Sequence, residues 1–221
     1  MSTASSPIAC LFHRDAYAEK VIWLPHSYMP HDVAGRAISD ARLARADFGL
    51  PERGVVFCCF NNAYKLNPEI FASRMRILKA VEDSVLWLSE SHPAAIENLR
   101  KAASECGVDP ARLVFAARLP SAADHLARHR LADLFLDTLP YNAHTTASDA
   151  LWAGLPVLTQ IGKTFAGRVA ASLLAAIGLP ELIMQTTKQF ERCAIELATA
   201  PDALAAVGGQ AGEEPFDGAS I

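Results

Sequence analysis

Short apolar runs alternate with longer amphipathic stretches along most of the chain. Each run is four to six residues long and mostly apolar, and the run over 55–60 is continuously apolar, as expected for a strand buried on both faces. The stretches between them have helical spacing and are bounded by Asn, Pro or Gly. This order predicts an α/β fold, a Rossmann-like parallel sheet with helices on both faces. The predicted strands are 55–60, 84–88, 113–116, 133–136 and 156–160, and the predicted helices are 68–81, 93–106, 122–130, 146–153, 167–177 and 188–200.

The two ends of the chain are predicted to lie outside this α/β domain, which we place at residues 51–200. Residues 1–50 are interpreted as an N-terminal extension and a connection, with a short strand over 20–25 that a proline stops. Residues 208–214 are rich in glycine and have little to bury. They predict a disordered tail over 201–221.

The composition is that of an ordinary globular protein. The chain has 221 residues, of which 51% are hydrophobic and 20% charged, and its net charge is −4 at pH 7. No basic surface indicates a nucleic-acid partner. The apolar runs are too short to cross a membrane, and the first ten residues lack the pattern of a signal peptide. We therefore expect neither nucleic-acid binding nor membrane association.

The cysteines favour a reducing compartment. They are odd in number, scattered, and form no C-x-x-C motif. Reduced, mostly buried thiols and a cytoplasmic protein are the expectation. The five cysteines are Cys10, Cys58, Cys59, Cys106 and Cys193.

The loop before the predicted helix 146–153 is the strongest candidate for a ligand site. Ligands of parallel α/β sheets bind beyond the carboxyl ends of the strands, where this loop lies. It brings His144, Thr145 and Thr146 to a helix N-terminus, which attracts anions such as a diphosphate. Asp149 is spaced to form a capping box with Thr146, and it could also accept hydrogen bonds from a ribose. An ordinary capped helix after a strand is the alternative.

Several segments resemble the catalytic region of O-linked N-acetylglucosamine transferases, in particular of bacterial, SPINDLY-like members. The resemblance covers about residues 16–185, and its segments occur in the order of that family. The segments are FCCFNNAYK at 57–65, SVLWL at 84–88, LAD at 131–133, DT at 137–138, HTT at 144–146, Asp149, LWAG at 151–154 and RVAAS at 168–172.

The resemblance implies a fold and an activity. The family has a two-lobed GT-B fold and transfers GlcNAc from UDP-GlcNAc to Ser or Thr of proteins, with inversion and without a metal ion or other cofactor. This chain resembles the C-terminal, nucleotide-sugar-binding lobe. The family's other lobe and its tetratricopeptide repeats have no counterpart in the sequence. Three interpretations stay open: a glycosyltransferase, a non-catalytic UDP-sugar-binding module, and a truncated relative with a vestigial site.

Lys65 and Asn62 follow the first predicted strand. The resemblance implies that Lys65 contacts the donor diphosphate and stabilises UDP as it leaves. A positioned cation suits that role where no metal neutralises the charge. Asn62 stands where the family has a polar amide, usually Gln, that contacts the donor.

The remaining site residues implied by the resemblance lie on two helices. His125 and Arg128, one turn apart, contact the nucleotide; a solvated helix face is the alternative for this pair and the expectation for His129. His144, Thr145 and Thr146 contact the diphosphate, and Asp149 contacts the ribose.

Overall fold

One sheet of parallel strands forms the centre of the protein. The structure is a computed structural model that describes residues 18–20, 27–28 and 36–213, with side chains up to residue 209. Within these residues the sheet has six strands in the order β3-β2-β1-β4-β5-β6, and every pairing is parallel. The strands are β1 Val56–Cys59, β2 Val85–Ser89, β3 Leu113–Ala116, β4 Leu134–Leu136, β5 Val157–Gln160 and β6 Ile183–Met184.

Helices cover both faces of the sheet, as predicted. Every residue of β1 and β4 is buried, although successive side chains of a strand point to opposite faces. Both faces must therefore be shielded from water. The helices are α1 Pro68–Ala80, α2 Pro93–Glu105, α3 Ala122–Arg128, α4 Thr145–Trp152, α5 Val169–Ala176, α6 Thr187–Thr199 and α7 Pro201–Glu213.

The predicted helix boundaries follow local chemistry. Asn67 caps α1 by accepting a hydrogen bond from the Ile70 amide at 2.9 Å, and Pro68 occupies the first helical position. Gly107 and Gly154 follow α2 and α4 with φ values of +72° and +82°. Glycine adopts this left-handed conformation without steric cost, so both helices end where the sequence predicts.

Several short elements escaped prediction, among them β6 and a number of 3-10 turns. β6 has only two residues, too few for a periodic signal, and it follows a 3-10 turn at Pro180–Leu182. The helix predicted over 122–130 ends at Arg128 and continues as a 3-10 turn, His129–Leu131. The strand predicted over 20–25 lies outside the described residues, apart from Lys20.

The chain path creates a switch point between β1 and β4. From β1 the chain builds β2 and then β3 on one side, and it returns to build β4, β5 and β6 on the other. The loops that leave β1 and β4 at their carboxyl ends therefore face each other. Open α/β sheets bind their ligands in the crevice at such a point.

The last two helices tie the domain together. α6 packs against α1, where Arg76 and Glu191 form an ion pair at 2.6 Å and the Arg74 guanidinium lies 4.3 Å from the centre of the Phe190 ring. This contact joins the carboxyl end of the domain to its first helix.

The disordered tail predicted over 201–221 is wrong for residues 201–213, which form α7. Leu204 and Val207 of α7 pack against the hydrophobic core, and α7 contacts α4 and α6. Two apolar side chains one turn apart stabilise this helix despite its glycines. Residues 214–221 lie outside the described part of the chain, in which no helix is long and apolar enough to span a membrane.

Candidate functional site

Asn61 joins the loops that leave β1 and β4. Its side-chain amide donates to Thr138 Oγ1 at 2.9 Å, and its Oδ1 accepts from Thr146 Oγ1 at 2.7 Å. Asn61 is only 3% exposed, so these bonds are shielded from water. One buried amide thus fixes the end of β1, the loop after β4 and the first turn of α4 relative to one another. Sequence reasoning missed Asn61, whose only signal is an amide directly after an apolar strand.

Lys65 reaches from the first loop into the second. Its Nζ donates to the backbone oxygen of Asn142 at 2.8 Å and lies 4.2 Å from the centre of the Tyr141 ring. Burial lowers the pKa of Lys65, and the nearby Asp137 carboxylate opposes that shift. An ammonium group has three donors, so Lys65 keeps donors for an anion.

His144 is held from both ring nitrogens. Nε2 lies 3.3 Å from the Ala166 carbonyl oxygen, and Nδ1 lies 2.7 Å from the hydroxyl of Tyr28. Because a carbonyl can only accept, Nε2 carries the proton and Nδ1 accepts from the phenol. Burial lowers the pKa of His144, which favours this neutral form. The His144 ring also stacks on Tyr141 at 4.8 Å, so Tyr141 contacts both His144 and Lys65.

The capping box predicted for Thr146 and Asp149 is wrong. α4 begins at Thr145 with His144 as its N-cap, and no side chain caps it. Thr146 instead donates to Asn61, and Asp149 forms an ion pair with Arg36, because tertiary partners compete for both groups. Helical geometry leaves the amides of Thr145 and Thr146 without intrahelical acceptors. The first turn of α4 therefore presents backbone donors, as an anion site requires.

Asp149 is a buried carboxylate that pairs with a charged side chain. It is 6% exposed, and its Oδ1 pairs with the Arg36 guanidinium. Burial raises the pKa of Asp149, while Arg36 opposes the rise. Arg36 thereby favours the ionised form, which can accept a hydrogen bond from a ribose hydroxyl.

Asp137 holds the loop after β4 through hydrogen bonds to its carboxylate. Its carboxylate accepts hydrogen bonds from the Thr138 amide at 2.7 Å, the Ala143 amide at 2.6 Å and the Thr159 hydroxyl at 2.6 Å. Complete burial raises its pKa to about 6, although the three bonds favour the charged form. Asp137 therefore fixes the loop that carries Asn142 and His144. An acid directly after a buried strand was the only local signal for this role.

The helix α3 presents a buried face, not a solvated one. Arg128 is 4% exposed; its Nη1 donates to the Ala117 carbonyl oxygen at 2.7 Å, and its guanidinium lies 4.5 Å from the centre of the Phe60 ring. His129 is fully buried, with its Nδ1 2.9 Å from the backbone oxygen of His125. The prediction that His129 is solvated is wrong, and so is the alternative that Arg128 lies on a solvated helix face. Both side chains pack on Phe60 beside β1.

His125 and Asn62 lie at the edges of the site. His125 is half-buried, 5.8 Å from the Phe60 ring, and burial with the charges of Arg128 and Arg36 lowers its pKa to about 4. Asn62 is exposed, and its backbone oxygen accepts from the Lys65 amide at 3.0 Å. Contacts of His125, Arg128 and Asn62 with a nucleotide stay predictions.

We expect His129 to make the protein sensitive to acid. Burial, with the nearby His125 and Arg128, lowers the pKa of His129 to about 3. Because the unfolded chain binds this proton near pH 6.5 and the folded protein does not, stability falls as the pH drops below 6.5. The expected loss from His129 is about 2 kcal/mol between pH 7 and pH 5.

Urea unfolding at pH 7 and pH 5 measures this loss. His129→Leu should reduce the loss of stability between pH 7 and pH 5 by about 2 kcal/mol, and His125, whose pKa is also lowered, should account for part of what is left. His92→Gln, at an exposed histidine, should leave the pH dependence unchanged. An equally steep dependence in His129→Leu would contradict the assignment.

In the described part of the chain, no group of three or more His, Cys, Asp or Glu side chains could hold a metal ion. The polar groups at the switch point are instead a lysine, a histidine, backbone amides and a paired carboxylate.

Residues 34–213 match a known protein family, Glycosyl transferase family 41. The chain belongs to this family. It is 40% identical over 185 residues to the UDP-N-acetylglucosamine–peptide N-acetylglucosaminyltransferase of Caenorhabditis elegans, covering 82% of this chain and 16% of the relative. It is 37% identical over 196 residues to the probable UDP-N-acetylglucosamine–peptide N-acetylglucosaminyltransferase SEC of Arabidopsis thaliana, covering 86% of this chain and 20% of the relative. The chain thus spans about a fifth of these curated relatives or less.

A solved structure agrees with the family assignment. A mutant O-GlcNAc transferase from Thermobaculum terrenum superimposes with a TM-score of 0.77 and 31% identity, covering 94% of this chain and 38% of the other. The resemblance to O-GlcNAc transferases is confirmed. This member of glycosyl transferase family 41 has the α/β fold of the C-terminal lobe of a GT-B enzyme.

Proposed function

We propose that this glycosyl transferase family 41 chain binds UDP-GlcNAc and supplies the donor-binding lobe of a protein O-GlcNAc transferase. The observation that carries the proposal is the convergence of Lys65, His144 and the first turn of α4 at the switch point, joined through Tyr141 and Asn142. The names of the relatives support UDP-GlcNAc as donor and a peptide as acceptor.

The donor is recognised along its length. Its diphosphate lies between the Lys65 ammonium and the free amides at Thr145 and Thr146, because both carry positive charge. Asp149 accepts from the ribose, and His144 lines the diphosphate subsite. His125, with Arg128 and Asn62, borders the nucleotide.

The transfer is a direct displacement with inversion. The hydroxyl oxygen of an acceptor Ser or Thr forms a bond to the anomeric carbon while the bond from that carbon to the β-phosphate oxygen breaks. UDP leaves with the electron pair, and the proton of the acceptor hydroxyl passes to a phosphate oxygen of the departing UDP. Lys65 and the α4 N-terminus stabilise the negative charge that UDP gains, so the reaction proceeds without a metal ion.

A second lobe completes the enzyme in this proposal. The acceptor binds in a cleft between the two lobes, and this cleft also excludes water from the reaction. Tetratricopeptide repeats belong to the same assembly. A non-catalytic UDP-sugar-binding module is the second candidate. It is favoured by the observation that the polar groups at the switch point, namely Lys65, His144 and the amides that begin α4, suit the binding of an anion.

We also infer a cytoplasmic protein of bacterial origin. Four cysteines in the described residues are free thiols, which suits a reducing compartment. The bacterial origin rests on the resemblance to bacterial members of the family.

Calorimetry of UDP and UDP-GlcNAc with the 221-residue protein tests the proposal. We expect both to bind in EDTA with dissociation constants in the micromolar range, and Mg²⁺ to leave the affinities within about twofold, because Lys65 and backbone amides replace a metal. GDP is the control for the base and should bind more weakly. A folded protein that binds neither ligand would refute the function, and binding only with Mg²⁺ would refute the metal-free site.

A further inference from the structure

Arg36 meets the candidate site from the segment that precedes the sheet. Its Nη1 forms an ion pair with Oδ1 of Asp149 on α4. The side chain of Asp149 is 9% exposed and that of Arg36 is 31% exposed. The guanidinium thus covers one side of the carboxylate, and Asp149 lies one turn into α4 from the Thr145 amide.

The backbone around Arg36 is held independently of its side chain. The Trp152 indole donates to the Arg36 backbone oxygen at 3.1 Å, and the Ser39 amide donates to the Ala123 backbone oxygen at 3.2 Å. Residues 36–39 are therefore attached to α4 and α3. Removing the guanidinium should leave this attachment in place.

The ion pair restricts what Asp149 can do. Arg36 holds Oδ1, so the other carboxylate oxygen is the acceptor for a hydroxyl. Without Arg36, the buried carboxylate loses the charged partner that orients it, and burial favours its protonated form. A protonated or misoriented Asp149 is a poorer acceptor for a ribose hydroxyl.

We propose that Arg36 is a positioning residue for the ribose of a nucleoside diphosphate, acting through the Asp149 carboxylate. The inference rests on the proposed function, because it takes the ribose contact of Asp149 as its starting point. It adds a residue outside the sheet domain to the donor site.

Arg36→Ala and UDP analogues test the inference by calorimetry. We expect the variant to bind UDP about tenfold more weakly, because it weakens a hydrogen bond to a charged group. Affinity for 2′,3′-dideoxy-UDP should change by less than about twofold, because that ligand lacks the hydroxyls that Asp149 accepts from. A merely structural role would weaken both ligands equally. Arg36→Lys should recover part of the UDP affinity.

Arg42→Ala is the matched control, since it removes the same charge from an exposed position in the same segment. Asp149→Ala should reproduce the selective loss of UDP affinity. Circular dichroism checks that Arg36→Ala and Arg36→Lys are folded. If Asp149→Ala loses UDP affinity selectively but these two folded variants do not, the inference is overturned while the proposed function stands. If the parent protein binds no UDP, both are overturned.

Discussion

Replacing Lys65 by alanine should weaken UDP binding by about a hundredfold, because a hydrogen bond from a charged donor to the diphosphate is lost. Lys65 Nζ is fixed by the Asn142 carbonyl oxygen and the Tyr141 ring before any ligand arrives. Such preorganisation reduces the entropy cost of binding. Thermal unfolding should change little, since the side chain is only partly buried.

UMP separates the role of Lys65 from a general disturbance of the site. UMP lacks the β-phosphate, so its affinity should fall much less than that of UDP in Lys65→Ala. Lys101→Ala removes an exposed lysine on α2 and should leave both affinities unchanged. In a two-lobed enzyme containing this chain, Lys65→Ala should remove most transfer. UDP binding or transfer by Lys65→Ala at nearly the parental level would contradict the role assigned to Lys65.

Asp137→Ala should lower the free energy of unfolding by about 4 kcal/mol, because it leaves three buried donors without an acceptor. These donors are the amides of Thr138 and Ala143 and the hydroxyl of Thr159. Urea unfolding followed by circular dichroism measures the change. UDP affinity should fall as well, because the Ala143 bond holds the loop that carries Asn142 and His144.

Two further variants apportion the loss at Asp137. Asp137→Asn keeps one acceptor oxygen but turns amide hydrogens toward other donors, so we expect a loss of about 2 kcal/mol. Thr159→Val removes a single donor and should cost about 1 kcal/mol. A loss below about 1 kcal/mol in Asp137→Ala would show that these bonds do not fix the loop.

The sequence predicted the sheet because its signals are local. β1 and β4 are continuous apolar runs, and only a strand covered on both faces buries every residue of such a run. Asn67 and Pro68 begin α1 by satisfying or removing backbone donors at that point in the chain. The loops after β1 and β4 could be named as candidate sites for the same reason, since parallel strands end at one edge.

The residues that hold the site could not be predicted, because their partners are distant in the chain. Thr146 and Asp149 have the spacing of a capping box, but Asn61 and Arg36 bind them instead. His129 has the pattern of an exposed helix position, yet it packs on Phe60. Periodicity reports which face of an element is apolar, but not which side chain of another element will meet it.

The sequence by itself thus determined the order of β1 to β5 and α1 to α6, the family and the residue types at the switch point, since each depends on neighbours in the chain. The tertiary structure decided which groups stay available to a ligand. In the folded protein the Asp137 carboxylate accepts hydrogen bonds from the loop after β4, and one oxygen of Asp149 pairs with Arg36. The amides that begin α4 have no intrahelical acceptors. The physical reason is that a buried polar group binds whichever partner the fold brings within hydrogen-bond distance.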